Sequence, residues 1–261
     1  MIGRDLAETL RLADENLWEG YRQLVARAPG GEMLDEEGLL CVANRSPSPV
    51  IVNTAFRTDA SIPADVALKR VDAYYLTRQH GYCIYAADHG GADLAAAAIA
   101  LGLEHLVDLP EMVLDAAPAP ISPPQGITVK PVTDRAGSRA YAAIMTESFT
   151  EPTGQLFREP ASLVGPNVGG WIAYVEGEPA AGASIMLSHG IGLVTTVGTL
   201  KAHRRRGLGD LVTRIAARAA FDRGARFVSL QSSPEGLGVY EGIGFRVVSG
   251  YRLYGRSAAP S

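Results

Sequence analysis

The chain has 261 residues, 47% of them apolar and 20% charged, with a formal net charge of −4. That length buries a full core as one large domain or two small ones, with the composition of an ordinary globular protein. The acidic balance argues against a general nucleic-acid binder, which carries a basic surplus. Two distant cysteines, Cys41 and Cys83, give neither a disulfide framework nor metal-ligand spacing. Residues 1–5 are charged and lack a signal-type apolar core, and the longest apolar run, 94–103, is far short of a membrane span. A cytoplasmic protein with no membrane contact is the expectation.

In chain order, Leu6, Leu10, Leu17, Tyr21, Leu24 and Val25 recur at helical spacing and predict a helix over 5–27, stopped by Gly30 and Gly31. Strands follow at 39–43 and 50–55, around a turn made by Ser46-Pro47-Ser48-Pro49. A helix over 64–79 takes its apolar side from Val66, Val71, Tyr74, Tyr75 and Leu76. A strand at 82–86, a helix at 93–101 and a strand at 106–114 complete a first unit, 1–115. Residues 116–126 are rich in proline and alanine, which denies them helix or inner strand, so they read as an extended tether.

The second unit, 127–256, opens with a strand at 127–132 and a helix capped by Thr133 or Asp134 that runs to about 149. A shorter helical or irregular region covers 153–165. Strands at 170–175, 180–187 and 192–200 are joined by tight turns at 176–179 and 188–190. A long helix over 206–223 ends at Gly224. A strand at 227–231, a short helix at 238–242 and a strand at 245–253 finish the unit, and 257–261 read as a disordered tail.

The chemistry concentrates at 194–210. A β-branched strand, residues 194–200, leads through Lys201-Ala202-His203 into Arg204-Arg205-Arg206-Gly207-Leu208-Gly209 and a helix. A helix N-terminus presents unpaired N–H groups and the positive end of its dipole. Glycines let an anion reach that backbone, and arginines add charge-assisted hydrogen bonds. Together they suit a pyrophosphate. The alternatives are a solvated basic helix start and a nucleic-acid patch. Three cations oppose the dipole unless an anion offsets them, and no aromatic residues interleave the arginines.

Arg204-x-x-Gly207-x-Gly209 between a strand and a helix resembles the coenzyme motif of the Gcn5-related N-acetyltransferases (GNAT). Tyr240-Glu241-Gly242-Ile243-Gly244-Phe245 resembles that family's late motif, and the order of elements over 127–256 is similar to the family's. The resemblance implies an α/β fold with a mixed, mostly antiparallel central sheet flanked by helices. It implies an N-acetyltransferase that binds acetyl-CoA, with Val197, Gly198 and Thr199 facing the pantetheine arm. Arg204, Arg205, Arg206, Gly207, Leu208, Gly209 and Asp210 would sit around the pyrophosphate, and Ser232 and Ser233 near the coenzyme. Tyr240 would be the general acid that protonates the leaving thiolate. The acceptor would be a small-molecule or peptide amine, attacking directly in a ternary complex. No acid lies between Gly190 and Leu200, so Glu147, Glu151, Glu176 or a water chain remain open as the base. A non-catalytic acyl-CoA-binding or sensor protein is the rival.

The first unit repeats the element order after residue 38 without the glycine–arginine loop. Its matching junction, 56–64, carries Asp59, which repels phosphate. It reads as a degenerate second copy with a structural or substrate-side role, so one coenzyme per chain is expected. His80, Cys83, Asp88 and His89 are irregularly spaced for metal binding, and no metal is expected. The oligomeric state is not legible.

Overall fold

The computed structural model describes residues 5–44 and 52–258, apart from the side chain of Glu151. The expected turn at 46–49, the start of the 50–55 strand and the last three residues of the tail lie outside the described residues. Helix α1 (Leu6–Arg27) starts at Asp5, whose carboxylate accepts from the Ala7 N–H at 3.2 Å. There follow β1 (Glu32–Glu36), β2 (Leu39–Ala43), β3 (Thr54–Arg57), α2 (Ala64–Leu76), β4 (Tyr82–Ala87), α3 (Ala92–Ala100) and β5 (Glu104–Leu114). Residues 116–126 are neither helix nor strand, and Arg218 holds them by donating to the Pro118 carbonyl at 3.1 Å.

After this segment come β6 (Ile127–Pro131), α4 (Arg135–Ser148), α5 (Glu151–Gln155), β7 (Val164–Gly165), β8 (Val168–Val175), β9 (Glu178–Ser188) and β10 (Ile191–Thr199). Then α6 (Leu208–Asp222), β11 (Val228–Gln231), α7 (Leu237–Ile243) and β12 (Arg246–Arg256) complete the chain. Asp134 caps α4 by accepting from the Gly137 N–H at 2.8 Å. Both hairpin turns, Glu176-Gly177 and His189-Gly190, have two successive residues at positive φ, the backbone that matches strand twist.

Three expectations need correction. β1 stands where no strand was expected; its side chains are mostly exposed, so no apolar alternation marks it. α2 ends at Leu76, and Val66 and Leu76 are 42% and 53% exposed; the buried side is Ala64, Ala67, Leu68, Val71, Tyr74 and Tyr75. α6 begins at Leu208, two residues later than expected.

The strands form one sheet in the order β1-β2-β3-β4-β12-β5-β11-β10-β9-β8-β6, with β7 beside β8. The sheet does not part at the proline-rich segment. β12 lies antiparallel between β4 and β5, and β5 lies between β12 and β11. Each half therefore places its final strand inside the other. Alternate residues of a strand face opposite sides. Leu193 packs with Leu17 and Val25 of α1, whereas Val194 packs with Leu208, Leu211 and Val212 of α6. Helices α1 and α4 cover one face; α2, α3, α6 and α7 cover the other.

Candidate functional site

β10 and β11 pair in parallel at Gly192–Val228 and Leu193–Ser229. Beyond those pairs β9 is the one strand that pairs with β10 among the described residues, while Leu230 and Gln231 of β11 pair with β5. A seam therefore opens between two neighbouring strands. A bulge marks it: Thr195 pairs with Ser184, but the next described pair is Gly198–Gly182. Thr196 sits in the bulge at φ 44°, costly for a β-branched residue. The Tyr141 hydroxyl donates to its carbonyl at 2.8 Å, and Ser184 reaches its hydroxyl at 2.9 Å. Val197, Gly198 and Thr199 follow along the seam. A Cβ at Gly198 would stand 2.8 Å from Ser148 Oγ and 2.9 Å from Met145 Cε, so only glycine lets α4 come this close.

The loop from β10 to α6 is braced from behind. The Lys201 N–H donates to Glu147 at 2.8 Å, and Arg204 Nε donates to the Thr199 carbonyl at 3.2 Å. Arg205 and Gly207 take positive φ of 58° and 75°. Among the described residues no side chain caps α6, and the Leu211 N–H is the one that reaches the Gly207 carbonyl. The N–H groups of Leu208, Gly209 and Asp210 are thus the open donors of the first turn. Arg205 and Arg206 lie exposed beside them, Arg206 on His203 at 3.0 Å. Because α6 starts at Leu208, the arginines lead into the helix rather than occupying its first turn. Asp210 is turned aside to Arg214 at 2.8 Å. This arrangement suits a multiply charged anion.

On the other side of the seam, Ser232 is buried and donates to the Ser233 carbonyl at 2.7 Å. Ser233 Oγ accepts from the Gly236 N–H at 3.2 Å and shapes the start of α7. Both serines therefore act as turn formers. Tyr240 packs on Phe245 with ring centroids 6.0 Å apart. Among the described residues its hydroxyl has no hydrogen-bond partner, and burial pushes its pKa up to about 12. A Cβ at Gly236 would stand 2.8 Å from the Tyr240 ring and 3.4 Å from each serine hydroxyl, so these groups crowd one spot.

Of the acids left open by the sequence, Glu147 is engaged with the loop backbone, Glu176 lies in the β8–β9 turn, and the side chain of Glu151 is outside the described residues. Sequence reasoning missed Glu111. It is fully buried in β5, directly opposite Gln231 at the open end of β11. Its Oε1 accepts from the Tyr251 hydroxyl at 3.3 Å; among the described residues its Oε2 and the Gln231 Nε2 have no partner. Tyr251 also donates to Asp14, which meets His89 Nε2 at 2.9 Å, and His89 Nδ1 meets Ser249 at 2.7 Å. Burial first, then the nearby Asp14, raise the Glu111 pKa to about 8. No local motif marks this residue, because its partners come from α1, β11 and β12.

The first half repeats the seam in reduced form. β3 and β4 pair in parallel at Thr54–Cys83 and Ala55–Ile84 and then diverge. Beyond lies a cleft of ≈ 160 Å³ walled by Trp18, Phe56, Arg57, Tyr85, His89 and Tyr251. At the 56–64 junction Arg57 is bound to Asp93 through contacts of 2.6 and 2.7 Å, and Asp59 accepts from the Ser61 N–H. Cys83 is buried, and Asp88 pairs with Arg252 at 2.9 Å. Among the described residues no group of three His, Cys, Asp or Glu could hold a metal ion, and no helix is long and apolar enough to cross a membrane.

Comparison with known proteins agrees with this geometry. Residues 137–245 match the acetyltransferase (GNAT) family. A GCN5-related N-acetyltransferase from Kribbella flavida superposes with TM-score 0.73 at 19% identity, over 95% of this chain and 96% of that one. Another from Sphaerobacter thermophilus gives 0.64 at 16% identity, over 87% and 83%. A tandem GNAT protein from the clavulanic acid biosynthesis pathway gives 0.58 at 14% identity, over 95% and 96%. The tandem match fits a second, N-terminal GNAT-like unit. No curated protein matches the chain.

Proposed function

From the match of residues 137–245 to the acetyltransferase (GNAT) family, we propose that the chain transfers the acetyl group of acetyl-CoA to a primary amine by direct attack in a ternary complex. The observation that carries this is the conjunction of an open seam with an uncapped helix start and two exposed arginines at its mouth. Leu208, Gly209 and Asp210 would offer N–H groups to the pyrophosphate, with Arg205 and Arg206 alongside. Gly207 gives the backbone turn, and Arg204 holds the loop in place. Val197, Gly198 and Thr199 would face the pantetheine arm, and Ser232 and Ser233 would shape the wall near it. When bound, acetyl-CoA supplies the activated thioester. Tyr240 keeps its proton throughout the neutral range, which supports its role as the acid that would protonate a departing thiolate. The acceptor is a small-molecule or peptide amine.

Calorimetric titration of acetyl-CoA tests the coenzyme site. Arg206→Glu with Gly209→Glu is expected to weaken binding at least tenfold, because two anions replace an anion site. Equal affinity in both proteins would sink the assignment. Tyr240→Phe should lower kcat by about 10² where chemistry limits. The engagement of Glu147 by the loop keeps a non-catalytic acyl-CoA-binding protein as the second reading. Release of free thiol with amines present separates the two.

A further inference from the structure

We propose that the first half of the chain supplies the proton acceptor for this transfer, Glu111, together with a hydrogen-bonded path, Tyr251–Asp14–His89, that carries the proton to the cleft between β3 and β4. The inference rests on the acetyltransferase reading above. It starts from two polar atoms that have no partner among the described residues. Glu111 Oε2 is a buried acceptor and Gln231 Nε2 a buried donor, on cross-strand neighbours whose side chains share the α1 face. A buried polar atom without a partner is costly, so a native site that keeps two of opposite kind is built to receive a polar group. Gln231 stands where β10 has left β11, so the two atoms border the seam.

Tyr240 belongs to the opposite face, packed with the α6 cluster. The seam joins the two faces. An amine entering from the α1 side would meet Glu111 before the thioester, with Tyr240 beyond. The balance is simple. Nitrogen loses a proton to the Glu111 carboxylate, the N–C bond forms and the C–S bond breaks, and the departing sulfur takes a proton from Tyr240.

Glu111 is fully buried and must discharge its proton. Tyr251 touches both Glu111 and Asp14, Asp14 meets His89 at 2.9 Å, and both Asp14 and His89 line the cleft. The groups facing Glu111 are Asp14 from α1, His89 from the β4–α3 connection, Tyr251 from β12 and Gln231 from β11. Burial and Asp14 raise the carboxyl to about 8 and His89 opposes them, so the basic form grows as pH rises through neutrality. β5 reaches this place because the two halves exchange their last strands. The site is incomplete without the first half.

The test uses the full chain, with acetyl-CoA and a high concentration of benzylamine as the acceptor probe. Glu111→Gln should lower kcat/KM for benzylamine about 100-fold at pH 7 and abolish its rise toward pH 8, with acetyl-CoA affinity unchanged within about twofold. Tyr251→Phe keeps the acceptor but cuts the path. It should lower kcat about tenfold and shift the pH midpoint of the buried-carboxyl band in infrared difference spectra. That band should vanish in Glu111→Gln, a readout independent of turnover. A folded Glu111→Gln with wild-type rate and pH profile overturns the proposal, as does a band insensitive to Tyr251→Phe. Failure of the wild type to release thiol despite binding acetyl-CoA also overturns it. Failure to bind acetyl-CoA at all overturns the acetyltransferase reading instead.

Discussion

Glu111 is a carboxylic acid held in the middle of a sheet, and its protonation leaves a mark on stability. Its folded pKa, about 8, lies above the ordinary carboxyl value. Below pH 4 both folded and unfolded chains are protonated there, so the group contributes nothing. Between about pH 4.5 and 8 the unfolded chain ionises while the folded chain keeps its proton, so stability falls with rising pH. Glu111→Gln removes that dependence. The variant should melt within a degree or two of wild type at pH 4 and roughly 3–8 °C above it at pH 8, measured by calorimetry. His89 runs the same way for the opposite reason. Its pKa is raised, chiefly by its bond to Asp14, so its contribution is complete below pH 6 and fades as pH climbs through the raised value. At this scale the sequence is uneven. The arginine–glycine loop is legible because its parts are contiguous. Glu111 is one glutamate among many until α1, β11 and β12 are folded around it.

Helix α1 covers part of one face of the sheet. It spans both halves, packing on β2, β3, β4, β10 and β12 through Leu17 and Val25. Gly20 lets it settle: a Cβ there would stand 3.0 Å from Leu193 and 3.3 Å from Met186. Gly20→Leu should push the helix off β9 and β10 and cost about 1–3 kcal/mol. Urea unfolding would register this as a lower midpoint at unchanged slope. Helical periodicity places the ends of α1 almost to the residue, since Leu10, Leu17, Leu24 and Val25 mark its buried side, although Leu6 at its start is exposed. The same rule finds Val71, Tyr74 and Tyr75 of α2, which are buried, but not the rest of its stripe: Ala64, Ala67 and Leu68 complete it, while Val66 and Leu76 face water. β1 escapes it altogether, because an edge strand with exposed side chains has no alternation to detect.

At the scale of the whole molecule the proline-rich segment divides the chain but not the sheet. β12 hydrogen-bonds to β4 and β5 along most of its length, and β5 in turn pairs with β11. Residues 1–115 and 127–261 expressed separately should each lack a cooperative thermal transition, whereas the intact chain shows a single one. Two independent transitions at the melting temperatures of the separate pieces would contradict this. The element order can largely be read from the sequence; which strand lies beside which cannot, because β-pairing is decided by contacts remote along the chain. The exchange has a consequence for synthesis. As the nascent chain leaves the ribosome, β4 and β5 emerge early, yet the place between them stays vacant until everything up to Arg246 has been made. For all that time the sheet has two open edges at its centre, which other strands could occupy. Until β12 closes it, that half-built centre is exposed to mispairing.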